Sequence, residues 1–75
     1  MPYIEIKAYP RDEATKQALA EEINKVVLDI MKCPPQAITI GMEDVQPENW
    51  QSQVADKIIA PKKSSMLILD GEKQY

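Results

Sequence analysis

Apolar and polar positions alternate over residues 3 to 9. Ile4, Ile6 and Ala8 fall on one side; Tyr3, Glu5, Lys7 and Tyr9 fall on the other. A period of two, with β-branched residues on one side, predicts a strand. Tyr9-Pro10 ends it, because proline has no amide hydrogen for a ladder. The period then changes. Ala18, Leu19, Ile23, Val26, Val27, Ile30 and Met31 are spaced by 1, 4, 3, 1, 3 and 1 residues, a single apolar stripe at helical period. Asp12 is placed to cap this helix, with Glu13 near the positive end of its dipole. Glu21 and Lys25, four apart, are expected to pair on the wet side. Pro34-Pro35 stops the helix.

Residues 37 to 45 alternate again. Ile38, Ile40 and Met42 line one face; Thr39, Gly41 and Glu43 line the other. Pro47 then introduces a short helix with Trp50, Val54, Ile58 and Ile59 at helical spacing, expected to end at Pro61. Met66 to Leu69 reads either as a helical turn or as a short pairing strand, and Asp70-Gly71 is a turn signal. Nothing in the chain repeats at solenoid periods.

A strand, a long helix and a second strand make a β-α-β unit, so the fold class is α/β with parallel strands and a right-handed crossover. At 75 residues, the chain is expected to be one domain, 1–75. Such a chain buries only roughly 60% of its unfolded surface. A core that small usually needs a disulfide, a metal or a partner subunit. Cys33 is the only cysteine, so no disulfide can form within the chain. With no histidine and no second thiol, no metal site is expected. A two-stranded sheet is itself marginal in water. Pairing with a second copy would extend it to four strands with the helices on one face. A homo-oligomer is therefore expected, in the first place a dimer.

Charge narrows the partners. Nine basic residues against twelve acidic ones give a net charge of −3. Nucleic acid is not expected, since binding phosphates needs a clustered positive surface. The longest apolar run, Met66 to Leu69, is far too short to cross a bilayer, so no membrane partner is expected. The first ten residues lack the basic start and apolar stretch of a signal peptide. With a lone cysteine, this points to a cytoplasmic protein.

The absence of histidine removes Ser-His-Asp and Cys-His chemistry from one protomer. Glu43-Asp44 and Glu21-Glu22 read as solvated surface charge. Cys33, without a histidine to activate it, reads as a small half-buried side chain. Lys7 is a lone cation able to hold an anion. Pro2 is different. If Met1 is removed, the Pro2 nitrogen becomes a secondary amine. In an apolar pocket beside a cation that amine loses basicity, because burial and like charge both disfavour its protonated form. A base poised near neutral pH is what proton abstraction next to a carbonyl requires. Arg11, the only arginine, and Trp50, the only tryptophan, could supply an anion clamp and an apolar wall.

These pieces, MPYIEIKAYPR, the helix DEATKQALAEEINKVV, the strand PQAITIGMEDV and the segment QPENWQ, resemble the 4-oxalocrotonate tautomerase family. The resemblance covers residues 1 to 61. Chain length and the QPENWQ segment are closest to its dimeric branch rather than the shorter hexameric one. It implies a tautomerase-like β-α-β fold and a cofactor-independent isomerase acting on a small enol or keto acid. It gives Pro2 the role of catalytic base. Arg11 would hold a substrate carboxylate, and Trp50 would stand in the apolar wall where the family often has phenylalanine. Thr39 occupies the position where the family often carries a second arginine, which favours a monocarboxylate over a diacid. The alternative from another class is a tautomerase-fold scaffold with only residual activity.

Overall fold

In the computed structural model, which describes Met1 to Tyr75, β1 (Tyr3–Ala8) and β2 (Thr39–Asp44) pair in parallel. The register sets Ile4 opposite Ile40 and Ile6 opposite Met42. Tyr3 faces Thr39, Glu5 faces Gly41 and Lys7 faces Glu43. The two alternations therefore match: apolar pairs share one face and polar pairs the other. The ladder continues past both ends, with Thr39 N–H donating to Pro2 C=O at 3.2 Å and Val45 N–H to Ala8 C=O at 2.8 Å. β1 stops one residue short of the expected strand, because Tyr9 already bends toward Pro10. β2 starts late, because Pro35–Ala37 winds into a 3₁₀ turn instead of extending.

The connection is α1 (Glu13–Met31). Asp12 caps it, its carboxylate accepting from Thr15 N–H at 3.3 Å. The hydrogen bonds from Thr15 hold the Asp12 carboxyl below its ordinary value. Along the helix Lys25 pairs with Glu22 at 3.0 Å rather than with Glu21, so the expected four-residue pair gives way to a three-residue one. Both spacings bring side chains together on a helix. Lys16 ties the helix to the end of β2, its ammonium 2.9 Å from Asp44 and 3.6 Å from Glu13.

α1 ends before the two prolines. Lys32 takes the left-handed conformation (φ 56°) and its N–H closes on Leu28 C=O at 3.2 Å. A Cβ in that region costs roughly 1–2 kcal/mol, which glycine avoids. Lys32→Gly is expected to raise the thermal midpoint by a few degrees, from about 1 kcal/mol of net relief. Calorimetry checks it; an unchanged or lower midpoint contradicts it.

The chain divides into two compact units, residues 1–45 and 46–75. In the second, α2 (Pro47–Trp50) widens into a π-helix over Gln51–Ile59 and then tightens into a 3₁₀ helix over Ala60–Ser65. Lys62 is non-helical (φ −115°, ψ 18°) and kinks that segment, so the helix breaks directly after Pro61, where it is expected to end, and only a separate turn follows. The widening is visible in the Ala60 N–H bond to Ala55 C=O, five residues back. Trp50, Val54, Ile58 and Ile59 suit a turn of between four and five residues, and Val54 is buried on that face. Gln51 Nε2 spans the same turn to Asp56 Oδ1 at 2.7 Å. β3 (Ile68–Leu69) and β4 (Glu72–Lys73) then form a hairpin. Asp70 (φ 50°) and Gly71 (φ 82°) both take positive φ, as a tight hairpin turn of this hand requires. Of the two readings of the tail, the pairing strand is the one adopted.

Only Ala37, Val45 and Val54 are truly buried, at 8%, 5% and 5% exposure. No residue of α1 is buried. Leu19, Val26, Ile30 and Met31 keep 41%, 53%, 71% and 57% of their surface in water.

Candidate active site

Pro2 stands immediately before β1 and is half-buried. Its carbonyl is fixed by the Thr39 N–H, so the first residue of β2 anchors the residue that carries the candidate base. Met1, attached to the Pro2 nitrogen, is 97% exposed. Thr39 is exposed beside Tyr3 on the polar face of the sheet. The structure therefore brings Pro2 and Thr39 together at the amino ends of the two parallel strands.

Arg11 lies at the other end. It follows β1, is exposed, and donates from Nη1 to Pro10 C=O at 3.1 Å. Six strand residues separate it from Pro2; at roughly 3.3 Å each they span about 20 Å, more than an arginine side chain covers. Pro2 and Arg11 do not converge within one chain.

Trp50 is the last residue of α2 and is half-buried. Within its own unit it lines a cleft of about 260 Å³ with Ile59 and Leu69, at whose rim stand Asp56, Lys63 and Asp70. No periodicity marks this cleft in the sequence: its walls come from a π-helical turn and a two-residue hairpin loop.

The other candidates resolve into ion pairs. The Lys7 ammonium sits 2.7 Å from Glu43 and 3.6 Å from Glu5. The hydrogen bond to Glu43 raises the Lys7 pKa above its ordinary value, keeping it charged but already matched. The Lys16 pKa is raised in the same way by Asp44. Lys7 is thus not a free anion site, and Glu43 and Asp44 are structural partners. Cys33 is free and half-buried. No helix is long and apolar enough to cross a membrane.

A parallel strand, one long crossover helix and a second strand of the same six-residue length make a small β-α-β unit of the α/β class. The family model for "Tautomerase enzyme" matches residues 2–60. Tautomerase PptA of Cronobacter sakazakii (strain ATCC BAA-894) is 37% identical over 68 residues, 88% of this chain and 90% of its own length. Tautomerase PptA of Escherichia coli O139:H28 (strain E24377A / ETEC) is 38% identical over 73 residues, 95% of this chain and 96% of its own length. The same protein of Escherichia coli O157:H7 gives the same figures of 38% and 95%. The chain belongs to the tautomerase family, among its PptA-type members, and is an isomerase.

Proposed function

We propose that the chain is a cofactor-independent keto–enol tautomerase in which Pro2, freed by removal of Met1, is the general base. In ketonisation the amine takes the enol hydroxyl proton, and the resulting ammonium returns a proton to the neighbouring carbon. In the reverse direction the amine removes the proton from that carbon. Arg11 holds the substrate carboxylate, and Trp50 supplies an apolar wall. The observation that carries this reading is the Thr39 N–H bond to Pro2 C=O at 3.2 Å. It holds the candidate base at the strand end while leaving its nitrogen outside the ladder.

The length of β1 between Pro2 and Arg11 supports a site completed between copies. In a two-fold pair the strand ends of one copy can lie beside the opposite ends of the other. The proposed assembly is a homodimer, and the exposed stripe on α1 supports it. The match to the family over 2–60 runs across the two compact units, which supports one tautomerase domain over 1–75. The free Cys33 supports a cytoplasmic location.

The proposed substrate is a small enol or keto acid with one carboxylate. Arg11 is the only arginine, and Thr39 offers a hydroxyl where a diacid needs a second cation. Arg11→Ala is expected to lower kcat/KM by roughly 10- to 200-fold, the loss of a charge-assisted bond worth about 1.5–3 kcal/mol. Thr39→Arg is expected to shift preference from phenylenolpyruvate toward 2-hydroxymuconate. Steady-state rates on both substrates for the three proteins test this. A parent that already prefers the diacid refutes the assignment of Thr39.

Activity against pH is expected to rise with an inflection below that of a free secondary amine, since burial and a nearby guanidinium both oppose protonation. Trp50→Ala is expected to wet the pocket and move the inflection upward. An inflection that stays in place removes the indole from the site.

A further inference from the structure

The wall that Trp50 shares exists only because the helix of the second unit is wide. Trp50, Ala55 and Ile59 line one cleft together, although they stand five and four residues apart. In an α-helix, at about 100° per residue, side chains five apart point roughly 140° away from each other, so Trp50 and Ala55 could not share a wall. Where the backbone bonds span five residues, side chains four and five apart share a face. Gln51–Ile59 is such a helix, and the Ala60 N–H closes it on Ala55 C=O. In the α form the same chain would turn the indole away from Ala55 and take the wall apart.

A wide helix is rare and needs something to favour it over the α form. The Gln51 amide is placed to do so, its Nε2 donating to Asp56 Oδ1 at 2.7 Å. These two residues are also five apart. Their bond fits the wide turn and is out of reach at α spacing, where the two side chains diverge by the same roughly 140°. An interaction made in only one of two forms shifts the population toward that form by its own free energy. Both side chains are exposed, so packing does not hold them together. We propose that Gln51 and Asp56 are positioning residues for the tautomerase reaction: their bond keeps the helix wide and thereby keeps the Trp50 indole in the pocket wall. This role rests on the reading of Trp50 as part of the pocket. Its effect on turnover passes through the indole.

The test compares Gln51→Ala, Asp56→Ala and the exchanged pair, Gln51→Asp with Asp56→Gln, which remakes the bond in the opposite sense. Gln53→Ala, at an exposed position of the same helix outside the cleft, controls for alanine's preference for the α-helix. Trp50 is the only tryptophan, so the tryptophan band of near-ultraviolet circular dichroism reads its setting directly. Both single variants are expected to weaken that band and to lower kcat/KM on an enol substrate by about two- to tenfold, the worth of one net hydrogen bond. Both are expected to move the pH inflection upward, as Trp50→Ala does. Loss of the Asp56 carboxylate alone would act the other way, since a negative charge favours the protonated amine. Agreement between the two variants therefore marks the indole as the route. The exchanged pair is expected to restore band, rate and inflection, and Gln53→Ala to match the parent. On a Trp50→Ala background neither single substitution is expected to change rate or inflection further. An unchanged tryptophan band in both single variants would overturn the proposal, as would an exchanged pair no better than they are. So would an added loss on the Trp50→Ala background, by giving the two residues a role apart from the indole. A weakened band with parent rates would break the link to the reaction. Trp50→Ala then locates the failure: in the reading of the pocket if it too turns over like the parent, and in the clamp if it does not.

Discussion

A preparation that wholly retains Met1 is expected to turn over enol substrates about 10²- to 10⁴-fold more slowly than one that begins at Pro2. That range is what a positioned general base contributes. With Met1 attached, the Pro2 nitrogen belongs to a tertiary amide. Its lone pair is delocalised into the carbonyl and cannot accept a proton. Removal of Met1 changes only that nitrogen. The Pro2 carbonyl, which Thr39 N–H holds at 3.2 Å, stays in place. Met1 is 97% exposed, so neither its loss nor an added extension disturbs packing. Intact mass and kcat/KM, measured on one sample, read the effect. A chain extended by two residues before Pro2 forces the blocked state and is expected to behave like retained Met1. Pro2→Ala, which keeps an amine once Met1 is gone, is expected to lose less. Full activity from the blocked chain would end the proline mechanism.

Much of the first unit was legible because its signals are local. Asp12 and Thr15 are three apart, and the cap between them needs no tertiary information. The alternations of residues 3 to 9 and 37 to 45 fix which side chains share a face. They do not fix register. Whether Lys7 meets Glu43 or water depends on which residues pair, and only the ladder decides that. The same holds for Lys16 and Asp44, which meet because the helix packs back onto the sheet. The second unit was less legible for a different reason. Spacings of four and four to five fit both an α-helix and a wider one, so Trp50, Val54 and Ile58 could not reveal the π turn. The candidate site was read as a set of residue types. Their order contained more: Pro2 precedes the strand and Arg11 follows it, which already prevents them from meeting in one chain.

Charging the exposed stripe of α1 is expected to break the assembly and, with it, the activity. Leu19, Ile23, Val26 and Ile30 are spaced by 4, 3 and 4 residues, the spacing of a helix–helix seam. Ile23 is half-buried, but Leu19, Val26 and Ile30 are exposed in the single chain. Burying each side chain is worth about 1.5–3 kcal/mol. A two-fold pair buries each of the three twice, a gross gain of the same order as the cost of association, roughly 4–15 kcal/mol. Pairing of sheet edges adds to it. Val26→Glu with Ile30→Glu places four carboxylates in that seam, where desolvation and like charge both oppose contact. Light scattering at micromolar concentration is expected to report one chain mass, against twice that or more for the parent. Lys25→Gln, on the polar side of the same helix, is expected to leave the mass unchanged. Because Arg11 and Pro2 are proposed to come from different copies, the separated chains are expected to lose at least what Arg11→Ala loses, roughly 10- to 200-fold. Circular dichroism separates this from unfolding, since α1 keeps its cap and its contacts with β2. A double variant that remains a dimer refutes the seam. A folded monomer with full turnover refutes the shared site, and would require Arg11 to play no part in holding the substrate.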